Sequence, residues 1–192
     1  TALREVADHA GPLFLFPLQL LTDYQIRTHG TDGGLRGALQ DVIKSFEAHA
    51  PDAARLVVKV HPLDNGWAPW PRWIAEAAET NRITYLDGGD LDALLRTCAG
   101  VVTVNSTVGL TALQAGVPVR ALGTAIYDLP GLTDPQPLEA FWVTPKRPDT
   151  EEVTLFVSFL RATIQHPGSF DGEGAGPGAE AIARAMLAPP PF

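Results

Sequence analysis

The sequence predicts an α/β protein, a Rossmann-like doubly wound parallel sheet flanked by helices. Three observations predict it. Short β-branched runs alternate with amphipathic helical patterns along most of the chain. The run Val101-Val102-Thr103-Val104 is apolar on both sides of the pleat, as a central strand covered on both faces must be. Polar clusters stand directly after the strands, at the edge where open α/β sheets hold their ligands.

Taken in order, the opening TALREVADHA is polar and helix-like, and residues 13–18 read as a first strand. A polar loop, LTDYQIRTHGTDGG, follows. A helix is expected over 35–50, because Leu35, Leu39, Val42, Ile43 and Phe46 recur at helical spacing. Strands at 55–60, 83–86, 101–104 and 119–122 then alternate with helices at 70–80, 91–97 and 107–115. The proline-rich stretch 130–148 predicts an irregular surface loop before a helix over 150–166. GSFDGEGAGPGAE at 168–180 predicts a Gly-rich linker, and 179–187 a short last helix. The expected organisation is one Rossmann-like domain at 1–167, the linker at 168–180, and a C-terminal helix and tail at 181–192.

Composition excludes several classes. The net charge of −8 argues against nucleic acid or an anionic membrane surface as the main partner. Any anion site must be a local arrangement of a few aimed groups. The single cysteine, Cys98, cannot form an internal disulfide, which favours a reducing, cytoplasmic setting. The apolar run 13–21 is interrupted by Pro17 and Gln19 and is too short to span a bilayer, and no export signal is visible. The absence of an initiator methionine suggests a piece of a longer polypeptide. No GxxxxGK[ST], GxGxxG or GxSxG motif is present, so P-loop, dinucleotide and α/β-hydrolase chemistry lose their support. The scattered histidines 29, 49, 61 and 166 form no zinc pattern, and no metal or cofactor is expected.

Four polar clusters should emerge on one sheet edge. They are Gln19, Thr22, Asp23 and Gln25; His61-Pro62; Asp87 to Asp90; and Asn105-Ser106-Thr107. The last opens a helix, so its hydroxyls and first-turn N–H groups can hold a phosphate; the alternative is an ordinary N-cap. DGGD is explained by a turn and helix cap alone. His61, held extended by Pro62, can donate to a phosphate, act as a base, or bond to neighbouring backbone. Lys59 is a cation in an apolar strand and needs a carboxylate, an anion or a reach to solvent. Trp67, Trp70 and Trp73 read either as a sugar platform or as a loop anchor plus a buried helix face.

KVHP at 59–62, PLQLLTDYQI at 17–26 and VTVNSTVGLTALQAGVPVRALGTAIYDLPGLT from 102 together resemble the capsular polysaccharide biosynthesis and export family, proteins similar to β-Kdo transferases. The resemblance covers roughly 13–143. It implies a GT-B-like glycosyltransferase built of two Rossmann-like halves, of which this chain supplies the half binding the donor nucleotide. The implied donor is CMP-Kdo, and the implied acceptor a lipid-linked glycan, with capsule assembled in the cytoplasm at the inner membrane and passed to the export machinery. His61 and Pro62 match the family's HP motif on the nucleotide; Ser106 and Thr107 match its phosphate-binding hydroxyl pair. Gln19, Asp23 and Gln25 match a polar stretch at the inter-domain cleft. Asn105, Gly123, Tyr127 and Asp128 fall on the pattern without an implied role, Asp128 being suited to cap or buttress the loop that follows. The N-terminal half that supplies the acceptor site and catalytic carboxylate has no counterpart here, so no catalytic residue is nominated; Asp23 is the one carboxylate to test. Two other functions compete: a non-catalytic binding or assembly domain of the capsule machinery, and a GT-B half using a UDP-sugar.

Overall fold

The computed structural model describes residues 2–168 and 172–187. Five strands form one sheet: β1 (Leu13–Pro17), β2 (Arg55–Lys59), β3 (Ile83–Leu86), β4 (Cys98–Thr103) and β5 (Val119–Ala121). Their order is β3-β2-β1-β4-β5, and every pairing is parallel. The chain steps outward from β1 through β2 to β3, then returns to β1's other side. This is the Rossmann-like arrangement the sequence predicts, with its switch point between β1 and β4.

The helices between strands are α1 (Ala2–Ala7), α2 (Tyr24–His29), α3 (Gly34–His49), α4 (Trp70–Ala77), α5 (Leu91–Thr97) and α6 (Thr107–Gln114). Beyond β5 follow α7 (Leu138–Phe141), α8 (Thr150–Thr163) and α9 (Ala175–Leu187). Phe14, Phe16, Leu56, Val58 and Val102 share one core with Leu39, Ile43 and Phe46 of α3, Trp70 and Ile74 of α4, and Phe141 of α7. Residues of opposite parity, Leu13, Leu15, Val57 and Val101, are equally buried. Both sheet faces are therefore covered, which explains why the strands read as unbroken apolar runs.

Gly100 shows how tightly the first face is packed. A Cβ there would lie 2.7 Å from Phe141 Cζ, so β4 can pass beneath α7 only with glycine at this position. The register of β1 against β4 slips at that place, between Leu13–Cys98 and Phe14–Gly100.

Several expected boundaries move. The loop after β1 contains α2, and the stretch 130–148 contains α7, whose Phe141 and following Trp142 are fully buried. β4 begins at Cys98, three residues before the expected start, and α8 ends at Thr163 rather than 166. The last helix begins at Ala175, inside the expected linker; Pro177 falls in its first turn, where a missing N–H costs nothing. Positions 169–171 of that linker and 188–192 of the expected tail lie outside the described residues. Two compact units divide between Val153 and Thr154, within α8 and ahead of the 167/168 boundary read from the sequence. The polar clusters that follow the strands all belong to the first unit.

Candidate functional site

Because all five strands run the same way, the polar clusters do emerge on one edge. The structure sorts them into different jobs. DGGD forms a turn with Gly88 and Gly89 at φ 94° and 85°, and Asp90 Oδ1 caps α5 by accepting from Asp92 N (2.9 Å) and Ala93 N (3.3 Å). Asp23 likewise caps α2, its Oδ1 accepting from Gln25 N at 2.9 Å.

At the switch point, Gln19 and Asn105 close the seam between β1 and β4. Gln19 Nε2 donates to Asn105 Oδ1 at 2.9 Å, and Asn105 N donates back to Gln19 Oε1 at 3.3 Å. Gln19 Nε2 also reaches Asp23 Oδ2 at 3.4 Å. Asn105 Nδ2 donates to the carbonyls of Gln25 (3.1 Å) and His29 (3.3 Å), so it holds the end of α2 against the sheet. Gly123 allows the same approach from the far side: a Cβ there would meet His29 O, to which Thr124 N donates at 2.9 Å. The roles of Asn105 were not legible in the sequence because its partners Gln19, Gln25 and His29 lie 86, 80 and 76 residues away.

Ser106 is buried and is the N-cap of α6, its Oγ accepting from Val108 N at 3.2 Å. Its own N–H donates to Thr103 Oγ1 at 3.2 Å, and Tyr127 Oη donates to its carbonyl. Gly109 makes the tyrosine bond possible, since a Cβ on this residue would lie 2.6 Å from Tyr127 Cζ. The spacing from Asn105 to Gly109 and the later Tyr127 thus form one packed unit. Burial, reinforced by the Asp128 carboxylate, pushes the Tyr127 phenol far above its usual range, so it stays a neutral donor. Asp128 Oδ1 accepts from Thr133 Oγ1 at 2.6 Å, which buttresses the following loop.

Thr107 differs from its neighbours. It is exposed, its hydroxyl makes no hydrogen bond among the described residues, and as the first helical residue its N–H has no acceptor within α6. It lines a cleft of about 330 Å³ with Gln25, Asn105, Leu110, Thr124 and Ile126. The residues after β5 were missed as lining residues, although the GTAIYD block stands directly behind a strand.

His61 and Lys59 lie on the other side of β1. His61 Nδ1 accepts from Leu63 N at 3.1 Å, so the proton of the neutral ring is on Nε2, and Pro62 is exposed beside it. In the order β2-β1-β4, the strand β1 lies between the strand that carries His61 and the one that carries the β4 turn. The structure therefore gathers Gln19, Asp23, Gln25, Asn105, Ser106 and Thr107 and leaves His61, Pro62 and Lys59 apart from them. Among the described residues, no group of three or more His, Cys, Asp or Glu is placed to hold a metal ion.

Lys59 is buried along its stem; its ammonium makes no hydrogen bond or ion pair among the described residues and keeps contact with solvent. Desolvation lowers its pKa, with Asp87 acting in the opposite sense. A lysine whose folded pKa lies below its unfolded value makes the fold less stable while charged; stability rises as pH climbs through the folded pKa toward 10.5, and falls again on the way down. Lys59→Met should therefore raise the urea midpoint at pH 7, with the gain over wild type shrinking by pH 10. The wild-type difference isolates this from Cys98, whose thiol burial pushes up to about 12 and which acts in the opposite direction above pH 9. An unchanged midpoint at both pH values would refute the account of Lys59.

Fold and site together define a Rossmann-like α/β protein with an open cleft beside its switch point. The sequence matches the family model described as "Capsule polysaccharide biosynthesis protein" over residues 2–170. It is 40% identical over 174 residues to the capsule polysaccharide modification protein LipB of Neisseria meningitidis, covering 88% of this chain and 42% of that protein. It is 34% identical over 156 residues to the capsule polysaccharide export protein KpsS of Escherichia coli, covering 79% of this chain and 40% of that one. The chain belongs to the capsule polysaccharide biosynthesis protein family. It spans about two-fifths of the length of these curated relatives. Similar solved structures include the β-Kdo 2,7 transferase KpsC of Thermosulfurimonas dismutans, at 20% identity and a TM-score of 0.49 over 83% of this chain and 61% of that one. Among the described residues no helix is long and apolar enough to cross a membrane.

Proposed function

We propose that this chain is the donor-nucleotide half of a glycosyltransferase of capsule polysaccharide biosynthesis, binding the CMP of CMP-Kdo at the switch-point edge. The supporting observation is Thr107: an uncommitted hydroxyl and first-turn N–H at the start of α6, lining an open cleft in a chain of this family. A phosphate there meets the positive end of the α6 dipole. When the bond from the sugar's anomeric carbon to the CMP phosphate oxygen breaks, these groups stabilise the charge left on the phosphate. His61 Nε2 supplies a further donor from the β2 side. The catalytic carboxylate and the groups that hold the acceptor's reacting end belong to a second Rossmann-like half, so the isolated chain binds without turnover.

The test is thermal stabilisation by CMP, with UMP, UDP and AMP as controls, with and without EDTA. CMP at a hundred times its dissociation constant should add about 2.7 kcal/mol, unaffected by EDTA. Thr107→Ala should remove most of that shift without altering the ligand-free melting temperature, and His61→Ala should reduce it. Ser106→Ala is the poorer probe, because loss of the cap alone costs about 1 kcal/mol. A UDP-selective shift would reassign the donor. No shift with any nucleotide would leave a binding or assembly domain.

A further inference from the structure

The four tryptophans of the chain have different fates. Trp142 is buried and donates to Ser45 Oγ; Trp70 is buried and donates to Asp64 Oδ2 at 3.0 Å; Trp73 packs on the core beneath Arg36, 4.9 Å from its ring centre. Trp67 alone among them is 88% exposed. The turn that presents it is fixed, Trp67 N donating to Asn65 Oδ1 at 3.1 Å and Gly66 N to Asp64 Oδ1 at 2.8 Å. Its indole lines a cleft of about 200 Å³ with the exposed Leu21 and Leu63, and with Thr22, Asp64 and Asn65.

We propose that Trp67 is the stacking platform of a pyranose-binding subsite on the β1–β2 side of the sheet edge, distinct from the cleft at Thr107. A pyranose ring has a C–H face that packs on an aromatic plane and a rim of hydroxyls that need polar partners. The cleft offers both. Thr22 Oγ1 and Asn65 Nδ2 make no hydrogen bond among the described residues, and the Asp64 carboxylate, held by Gly66 N and Trp70 Nε1 through one bond to each oxygen, keeps further acceptor capacity. These hydroxyl, amide and carboxylate groups suit the hydroxyl rim of a sugar. Membership of a capsule polysaccharide family makes a saccharide the substrate chemistry at hand. The identity of the sugar as Kdo rests on the donor reading above.

Saturation-transfer NMR with free Kdo, a Kdo-terminated oligosaccharide and CMP, on wild type, Trp67→Ala and Trp67→Phe, tests this. The saccharide signal should fall at least fivefold in Trp67→Ala and recover partly in Trp67→Phe, with the CMP signal unchanged in both. A response to free Kdo as strong as to the oligosaccharide marks the sugar of the donor; a response to the oligosaccharide alone marks the acceptor glycan. Equal saccharide signals in wild type and Trp67→Ala, or none in wild type, overturn the subsite. Loss of the CMP signal in Trp67→Ala also overturns it, because the indole would then be stacking a base. A Trp67-dependent saccharide signal without any CMP response in wild type would sink the donor reading and leave the subsite standing.

Discussion

Trp142→Ala should destabilise the protein by about 3–5 kcal/mol in urea unfolding, a large share of a typical domain's margin of about 5–15 kcal/mol. The ring is 1% exposed and sits edge-on to Phe14 (5.0 Å between centroids), Phe46 (5.3 Å) and Phe141 (5.7 Å). Alanine would leave a cavity bounded by three aromatic rings anchored on β1, α3 and α7, which cannot all move inward to fill it. Trp142→Phe keeps part of that volume and loses the bond from Nε1 to Ser45 Oγ (3.0 Å), so its cost should be about 1–2 kcal/mol. An alanine variant within 1 kcal/mol of wild type would mean that the cluster is not packed as described.

That cluster also shows where sequence reading stops. Strands such as Leu56 to Val58 were legible because burial on both faces imposes an apolar run, and the parallel sheet followed from alternation with helices, whereas the strand order came from the structure. Phe141 and Trp142 carry no such mark: α7 has four residues, too few to display a period, and prolines surround it. α2 was hidden for a related reason. Its six residues bury only Ile26, and what holds its last turn is the Asn105 side chain, 80 and 76 residues further on. The three clustered tryptophans look alike in one dimension, and only the fold separates the anchor Trp70 from the displayed Trp67. In the turn after β4, residue types suited to an anion were legible. Which of them already served α6 or α2 was not, because that depends on Gln19 and Tyr127 arriving from two other segments.

Asn105→Ala and Thr107→Ala, two residues apart, should therefore fail in opposite ways. Removing the Asn105 amide strips a donor from two carbonyls of α2 and takes from Gln19 Nε2, in a side chain 5% exposed, its Asn105 Oδ1 acceptor, leaving only the long bond to Asp23 and the backbone bond to Oε1. Unpaired groups in such places cost about 1–3 kcal/mol each when shut off from water. Because the carbonyls are partly solvated, the expected total is about 2 kcal/mol, with faster amide exchange through α2. Thr107→Ala removes an exposed hydroxyl with no internal partner, so stability should stay within about 0.5 kcal/mol of wild type. Under the donor reading its nucleotide response is nevertheless the one that disappears. Asn105→Ala should retain a weakened response once measured well below its own melting temperature, since the asparagine shapes the cleft through α2. The reverse pattern, a stable Asn105→Ala that binds nothing beside a Thr107→Ala that binds normally, would make Asn105 the contacting residue and move the phosphate off the start of α6.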